Sequence, residues 1–368
     1  MNSRERILAA LNLQQPDRVP VTDSLFRKDW YDQLLGRHPT IYDPVDCTEL
    51  AALLGMDATL LTYGGYPGVA SEDVGEQYES EWGVVYGRTD MGWPGDHSME
   101  FKVRTPEALD HFHPPDPNAP WRMDRIQRGV DMASKYDLAV ITGVRGPFAH
   151  AAWHFVGMQD LCMCILEDPE FVSRAVRMNT DFNLEICSRM AESGCDVFWI
   201  TEDLGSNTQP LINPKQYREL FLPHLREVVQ QIRSLGKVVV LHSDGYILPF
   251  LPDLVSTGIN GLNPLQRSAK MDIAEVKRKF GDKICLVGNV DNYNVMELGT
   301  PADVEAAAKE CIRAAARGGG LILASDHTLH EGCTLENARA LIAAAHNWGQ
   351  YPLVWVEKER ARDAAASE

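Results

Sequence analysis

From residue 138 onward the chain alternates short apolar runs with amphipathic stretches, and this alternation restricts its fold more than any other feature. LAVITGV (138–144) reads as a strand, followed by helical segments at about 157–166 and 169–192. VFWIT (197–201) leads into a long amphipathic helix over 214–236 that stops at a glycine. KVVVLHSDG (237–245), INGLNPL (259–265), ICLVGNVD (284–291) and GLILASDHT (320–328) are the next strands, with helices from about 247, 271–280, 301–316 and from about 334. Six such units in succession require parallel strands joined by helical crossovers. Upstream, RVPVTD (18–23) and ATLLTY (58–63) offer two more strands, so the expectation is an α/β fold, a (β/α)8 TIM barrel. A doubly wound sheet is the alternative, but no GxGxxG fingerprint follows any strand, and Gly318-Gly319-Gly320 precedes one.

Segment 64–137 breaks the alternation. It is rich in glycine, proline and aromatics, and reads as a long insertion after the second strand, with a small hairpin, over one end of the barrel. The expected organisation is therefore one barrel domain over 1–368 with 64–137 as an insertion or lid within it.

Composition narrows the partners. The net charge of −17 argues against nucleic acid, whose phosphates need a basic footprint. No run of about 18 apolar residues marks a membrane span. The N-terminus, with Asn2 and Glu5 at capping-box spacing, lacks signal-peptide character. Eight scattered cysteines without a CxxC pair read as reduced thiols in the cytoplasm.

In parallel barrels chemistry sits at the C-terminal strand ends. Here those ends carry Asp23, Arg145, Glu202 with Asp203, His242 with Asp244, Asn263, Asn289, and Asp326 with His327, with Cys333 in the last loop. His242 and Asp244 are two apart, so an extended backbone points both to one side. That spacing suits two metal ligands, or a histidine tuned by a carboxylate. His242, Cys333 and one or two carboxylates would satisfy zinc and leave a position for substrate. Ser325-Asp326-His327 cannot form a hydrolytic relay from adjacent residues, and no GxSxG elbow occurs. Asp326 reads equally as a loop tie, Glu202-Asp203 as a solvated turn, and Arg145 as a carboxylate anchor or an ordinary ion-pair partner.

Taken in order, GPFAHAAW, EDLGSNTQPLINPKQYRELFLP, HSDGYILPFLPDLVSTGINGLNPLQ and GNVDN resemble the uroporphyrinogen decarboxylase superfamily along nearly the whole chain. The resemblance implies a (β/α)8 barrel and one of two chemistries. The decarboxylases hold porphyrinogen carboxylates with arginines in a motif like RQAGRY; PVTDSLFRKDW lacks them, and Arg27 is out of register. Their aspartate in a pattern like FSDIL is replaced by LTYGGY, with Tyr63 near its place, although His327 matches a shared histidine. The other branch comprises zinc methyltransferases of corrinoid systems, whose His-x-Cys motif and later cysteine correspond to His242 and Cys333, with Asp244 at the first cysteine's position.

Fewer thiolates imply a more electrophilic zinc, suited to polarising a methyl ether, as in the methyltransferase components of aromatic O-demethylases. On this resemblance Glu202 or Glu219 would complete the zinc shell. Asp203, Asp326 and His327 would bind substrate or deliver protons. Asp23, Tyr63, Arg145, Phe148, Trp153, Asn263 and Asn289, with Trp82 and Trp93, would line the pocket. The implied partners are a small methyl donor and a separate corrinoid (cobalamin) protein, with a homodimer left open. Two rivals stand beside it: a decarboxylase of a small carboxylic acid or porphyrinogen, and a non-catalytic binding barrel.

Overall fold

The computed structural model describes residues 1–37, 43–65, 76–89 and 96–366. Its strands are β1 (Ala58–Gly65), β2 (Gln77–Glu79), β3 (Val84–Gly87), β4 (His97–Phe101), β5 (Ala139–Arg145), β6 (Val197–Thr201), β7 (Val238–His242), β8 (Gly261–Asn263), β9 (Cys285–Val290) and β10 (Leu321–Ser325). Seven form one sheet in the order β1-β5-β6-β7-β8-β9-β10, every neighbouring pair parallel, curled as in a TIM-like barrel.

The stretch expected as a first strand, RVPVTD, forms only an isolated parallel bridge, Val21 to Leu323. Pro20 has no N–H to give a ladder, which limits the pairing. The segment still joins the sheet's two edges. Leu323 N donates to Pro20 O (2.8 Å), and Asp57 N, just before β1, donates to Val21 O (2.8 Å). Asp57 is fully buried and accepts from Arg6 Nη1 (2.7 Å), Arg18 Nη1 (2.7 Å) and Val21 N (2.9 Å), tying helix Ser3–Leu11, this segment and β1 together.

Strand parity divides the core. Val238 and Val240 point inward with Ala139, Ile141, Val197, Trp199, Cys285, Val287, Ile322 and Ala324. Val239 and Leu241 point outward under the helices. Both faces of β7 are therefore buried, which is why its sequence is an unbroken apolar run. Ile7, Ala10 and Leu11 of the first helix join the inner cluster, so this helix plugs one end of the barrel; its N-terminus carries the Asn2–Glu5 capping box.

The helix expected over 214–236 is two, Pro214–Leu220 and Leu222–Ser234, because Pro223 interrupts the hydrogen-bond ladder near the junction. In place of a hairpin, β2, β3 and β4 form a three-stranded antiparallel sheet. Trp82, beside β3, is buried edge-on against the rings of His150, Phe155 and Phe182. Tyr86 Oη lies 2.8 Å from His154 Nδ1. The small sheet thus packs on helix Pro147–His154, which begins at the end of β5. Among the described residues no helix is long and apolar enough to cross a membrane.

Candidate metal centre at the barrel mouth

His242 ends β7 with the inward parity of Val238 and Val240, and its Cα pairs with Asn263 of β8. Its Nδ1 is 2.6 Å from Asn263 Oδ1. Asn263 Nδ2 donates to Val287 O (3.3 Å), which fixes the amide so that its oxygen faces the imidazole. Nδ1 then carries a proton and donates, and Nε2 is the ring nitrogen turned to the barrel mouth. Trp199 stacks on the ring at 5.8 Å between centroids.

Two carboxylates flank Nε2: Asp203 Oδ1 at 3.6 Å and Asp244 Oδ2 at 3.7 Å. They meet because the β6 and β7 loops touch backbone to backbone. A Cβ on Gly245 would stand 2.2 Å from the Gly205 carbonyl, and Gly245 has φ +81°. Leu204 N donates to Ser243 Oγ (2.9 Å) and Tyr246 N to Ser206 O (2.8 Å) across the same seam. Asp203 itself has φ +43°, a left-handed conformation that aspartate tolerates better than most residues. Among the described residues, Asp203, His242 and Asp244 are the group of three potential ligands with donor atoms all within 4.8 Å of one another. Asp244 Oδ1 is buried with no hydrogen-bond partner.

The electrostatics follow from this crowding. Burial opposes charge on His242, but the Asp244 and Asp203 carboxylates outweigh it and push the imidazole up to about 9. Burial also opposes charge on Asp244, yet His242 holds it below the ordinary carboxylate range. Burial raises Asp203, and repulsion from Asp244 adds to the rise. Such a pair of opposed carboxylates around an imidazole attracts a cation. His327, half exposed, approaches from the loop after β10, its Nε2 3.4 Å from Asp244 Oδ2, and that contact raises its pKa.

Below the cluster a cavity opens into the barrel. Each strand contributes: Leu60 (β1), Ile141 (β5), Trp199 (β6), His242 (β7), Asn263 (β8), Val287 (β9) and Ala324 (β10), with Thr22, Asp23 and Ser24 from the bridging segment. Asp23 accepts from Ser325 N (2.8 Å), Ser325 Oγ (3.1 Å) and Ser24 N (2.8 Å). Burial nevertheless pushes its carboxyl up to about 7.

Several expected site residues stand elsewhere. Glu202 is fully buried: Oε2 accepts from Phe148 N (3.0 Å) and Ala149 N (3.1 Å), and Oε1 from Tyr217 Oη (2.7 Å). It anchors the N-terminus of helix Pro147–His154 rather than a metal, and burial pushes it up to about 8. Glu219 is exposed on helix Pro214–Leu220, 3.9 Å from Lys215. Cys333 is buried and outside the three-residue group; its Sγ donates to Asn292 Oδ1 (3.4 Å).

Asp326 accepts from the backbone N–H groups of Arg267 (2.6 Å) and Asn292 (2.8 Å), so it ties loops together; burial pushes it up to about 6. Asn289 Nδ2 donates to the carbonyls of Leu265 and, at 3.1 Å, Met271, also away from the cavity. Phe148 is core, edge-on to Phe221 at 5.4 Å. Trp153 stands partly exposed on helix Pro147–His154, and neither it nor Arg145 lines the cavity. The Tyr63 side chain and Trp93 lie outside the described residues. Sequence reasoning missed Trp199, although its inward parity with Val197 was there to find it, and it cast Asp203 as a substrate or proton group rather than a neighbour of His242.

The model of the uroporphyrinogen decarboxylase (URO-D) family matches residues 94–348. Among curated proteins, the chain is 27% identical over 208 residues to the methylcobamide:CoM methyltransferase MtaA of Methanosarcina barkeri, covering 56% of this chain and 58% of that one. To the methylcobamide:CoM methyltransferase MtbA of Methanosarcina mazei it is 30% identical over 207 residues, 52% and 56% of the two chains. To the uroporphyrinogen decarboxylase of Coxiella burnetii it is 22% identical over 191 residues, 50% and 49%. The chain thus spans a little over half the length of these methyltransferases. A solved methyltransferase from Methanosarcina mazei superposes with TM-score 0.77 at 22% identity, over 94% of this chain and 98% of that one, a likeness of fold.

Proposed function

The chain belongs to the uroporphyrinogen decarboxylase family, and we propose that it is a methyltransferase, moving a methyl group from a small methylated donor to the Co(I) corrinoid of a separate protein. A methoxylated aromatic is the donor we assign. The observation that carries this reading is the Asp203–His242–Asp244 cluster over a cavity whose lining, among the described residues, contains neither arginine nor lysine. A porphyrinogen would bring several carboxylates to that cavity and meet Asp23 and the Asp203–Asp244 pair, with only the two imidazoles His242 and His327, already facing those aspartates, to oppose them. Burying unpaired charge costs several kcal/mol per ion. Leu60, Ile141, Val287 and Trp199 offer apolar walls suited to one aromatic ring.

The residues fit a divalent metal, which we take to be zinc. Asp244 Oδ1 is a buried acceptor without a donor, and His242 Nε2 is aimed between two carboxylates. Asp203, His242 and Asp244 would hold the ion. Bound there, it supplies Lewis acidity to the donor's ether oxygen. The methyl carbon–oxygen bond breaks, the carbon–cobalt bond forms on the acceptor, and the departing oxygen takes a proton. Asp23, raised to about 7, is a carboxyl in the cavity lining able to supply that proton near neutral pH. This reading takes residues 1–368 as one barrel unit with 64–137 as an insertion, and eight free thiols suit a reducing cytoplasm.

A second reading, transfer from a methylated corrinoid to a thiol, follows from the relatives named methylcobamide:CoM methyltransferases. The oxygen-rich cluster disfavours it, since activating a thiol calls for an electron-rich metal. Metal analysis joined to a methyl-transfer assay tests the proposal. About one zinc per chain, lost in His242→Ala, with methylcobalamin formed from methoxylated aromatics and reduced cobalamin, is the expected result. Release of carbon dioxide from a carboxylic acid, with no methyl transfer to cobalamin, would overturn it in favour of the decarboxylase.

A further inference from the structure

We propose that the metal site is completed by His327 rather than Cys333, giving a sulfur-free set of two histidines and two aspartates. The inference rests on the metal reading above and deepens it. A tetrahedral site with arms of about 2.0–2.1 Å has ligand-to-ligand edges of roughly 3.3–3.4 Å. His242 Nε2 lies 3.6 Å from Asp203 Oδ1 and 3.7 Å from Asp244 Oδ2, and His327 Nε2 lies 3.4 Å from the same Asp244 oxygen. Three edges of a tetrahedron are therefore near length, with Asp244 shared between both imidazoles, while His327 stands outside the group whose donors all lie within 4.8 Å, so the remaining edges close only when its ring moves. The His327 side chain is 47% exposed, so closing its ring onto the cluster moves a rim group and not the packed core. This takes His327 from the acid–base role its place in the sequence implies to that of a ligand.

Cys333 is held in the opposite sense. Its thiol donates to Asn292 Oδ1 at 3.4 Å. Asn292 is itself fixed, with Nδ2 donating to Thr328 O (2.9 Å) and its backbone N–H to Asp326 Oδ1 (2.8 Å). The backbone carbonyls of Glu331 and Cys333 both accept from the Arg27 guanidinium, which also pairs with Asp29. Bringing the thiol to His242 would break its contact with Asn292, and the cluster already offers three nitrogen and oxygen donors, with His327 beside Asp244 as the fourth. Nitrogen and oxygen ligands make a harder, more electrophilic site than thiolates do.

Cobalt(II) substitution of the full chain reads the donor set directly. Stripped protein reloaded with Co(II) should give the visible bands of a four-coordinate ion and lack the near-ultraviolet thiolate-to-cobalt charge-transfer band. Cys333→Ser and Cys333→Ala should leave spectrum and Co(II) affinity unchanged within about 2-fold, while His327→Gln should weaken affinity by roughly 10-fold or more. A thiolate band that Cys333→Ser removes, or a His327→Gln chain with unaltered spectrum and affinity, overturns the inference and leaves the metal reading standing. Failure of the unsubstituted chain to take up Co(II) or zinc overturns both.

Discussion

Asn263 Oδ1 stands 2.6 Å from His242 Nδ1 while its Nδ2 donates to Val287 O, so a β8 side chain sets which nitrogen of the β7 histidine faces the two carboxylates. Partners of this kind are worth about 10–100-fold in metal affinity. Asn263→Leu is expected to raise the zinc Kd by that factor while leaving the circular dichroism spectrum unchanged. Competition with a chromophoric chelator measures it, and an unchanged Kd would remove Asn263 from the site.

The seam between Gly205 and Gly245 brings Asp203 to Asp244. Gly245→Ala adds a Cβ against the Gly205 carbonyl at φ +81° and must part the loops. The expected outcome is loss of most metal affinity with the barrel still folded, read by the same competition alongside thermal unfolding.

Asp57 lies at the opposite end, fully buried between Arg6 and Arg18. Removing one partner of a buried ionic network leaves uncompensated charge, at a cost of about 3–5 kcal/mol. Asp57→Ala should lower unfolding free energy by that amount in urea titration. A change under about 1 kcal/mol would mean that the bridging segment is not held to β1 through this carboxylate.

His150 is buried with no hydrogen-bond partner for either ring nitrogen, and burial, with the Arg145 charge adding, pushes its pKa down to about 3 from 6.5. The folded state therefore binds fewer protons than the unfolded state between those values, so stability rises with pH across the window. The contribution is complete above pH 6.5 and is lost as pH falls toward 3. At pH 5 the loss from this one group is about 2 kcal/mol. His150→Phe should flatten the fall in denaturation midpoint between pH 7.5 and 5; an equal slope in both chains would contradict the account.

Much of the barrel was legible because buried parallel strands read as unbroken apolar runs, as Val238–Leu241 does. The pairing of His242 with Asp244 was legible from strand parity. Glu202 misled because it adjoins Asp203, yet neighbours on an extended chain point to opposite sides, and Glu202 turns outward to cap helix Pro147–His154 after the neighbouring strand β5. The meeting of Asp203 with His242 depends on a backbone contact between two glycines forty residues apart, which no local pattern encodes. Pro20 weakened the first strand to a bridge, and the antiparallel β2–β4 sheet formed in a segment too rich in glycine and proline to show an alternation.

The fate of a labelled methoxy carbon tests the central claim most directly. With a methoxylated aromatic, zinc-loaded protein and reduced cobalamin, the account predicts that the label moves to methylcobalamin in step with release of the phenol, and stays on the aromatic with His242→Ala. Label remaining on the aromatic with the unsubstituted, zinc-loaded chain across a panel of methoxylated donors, while a carboxylic acid in the same reaction loses carbon dioxide, would contradict it.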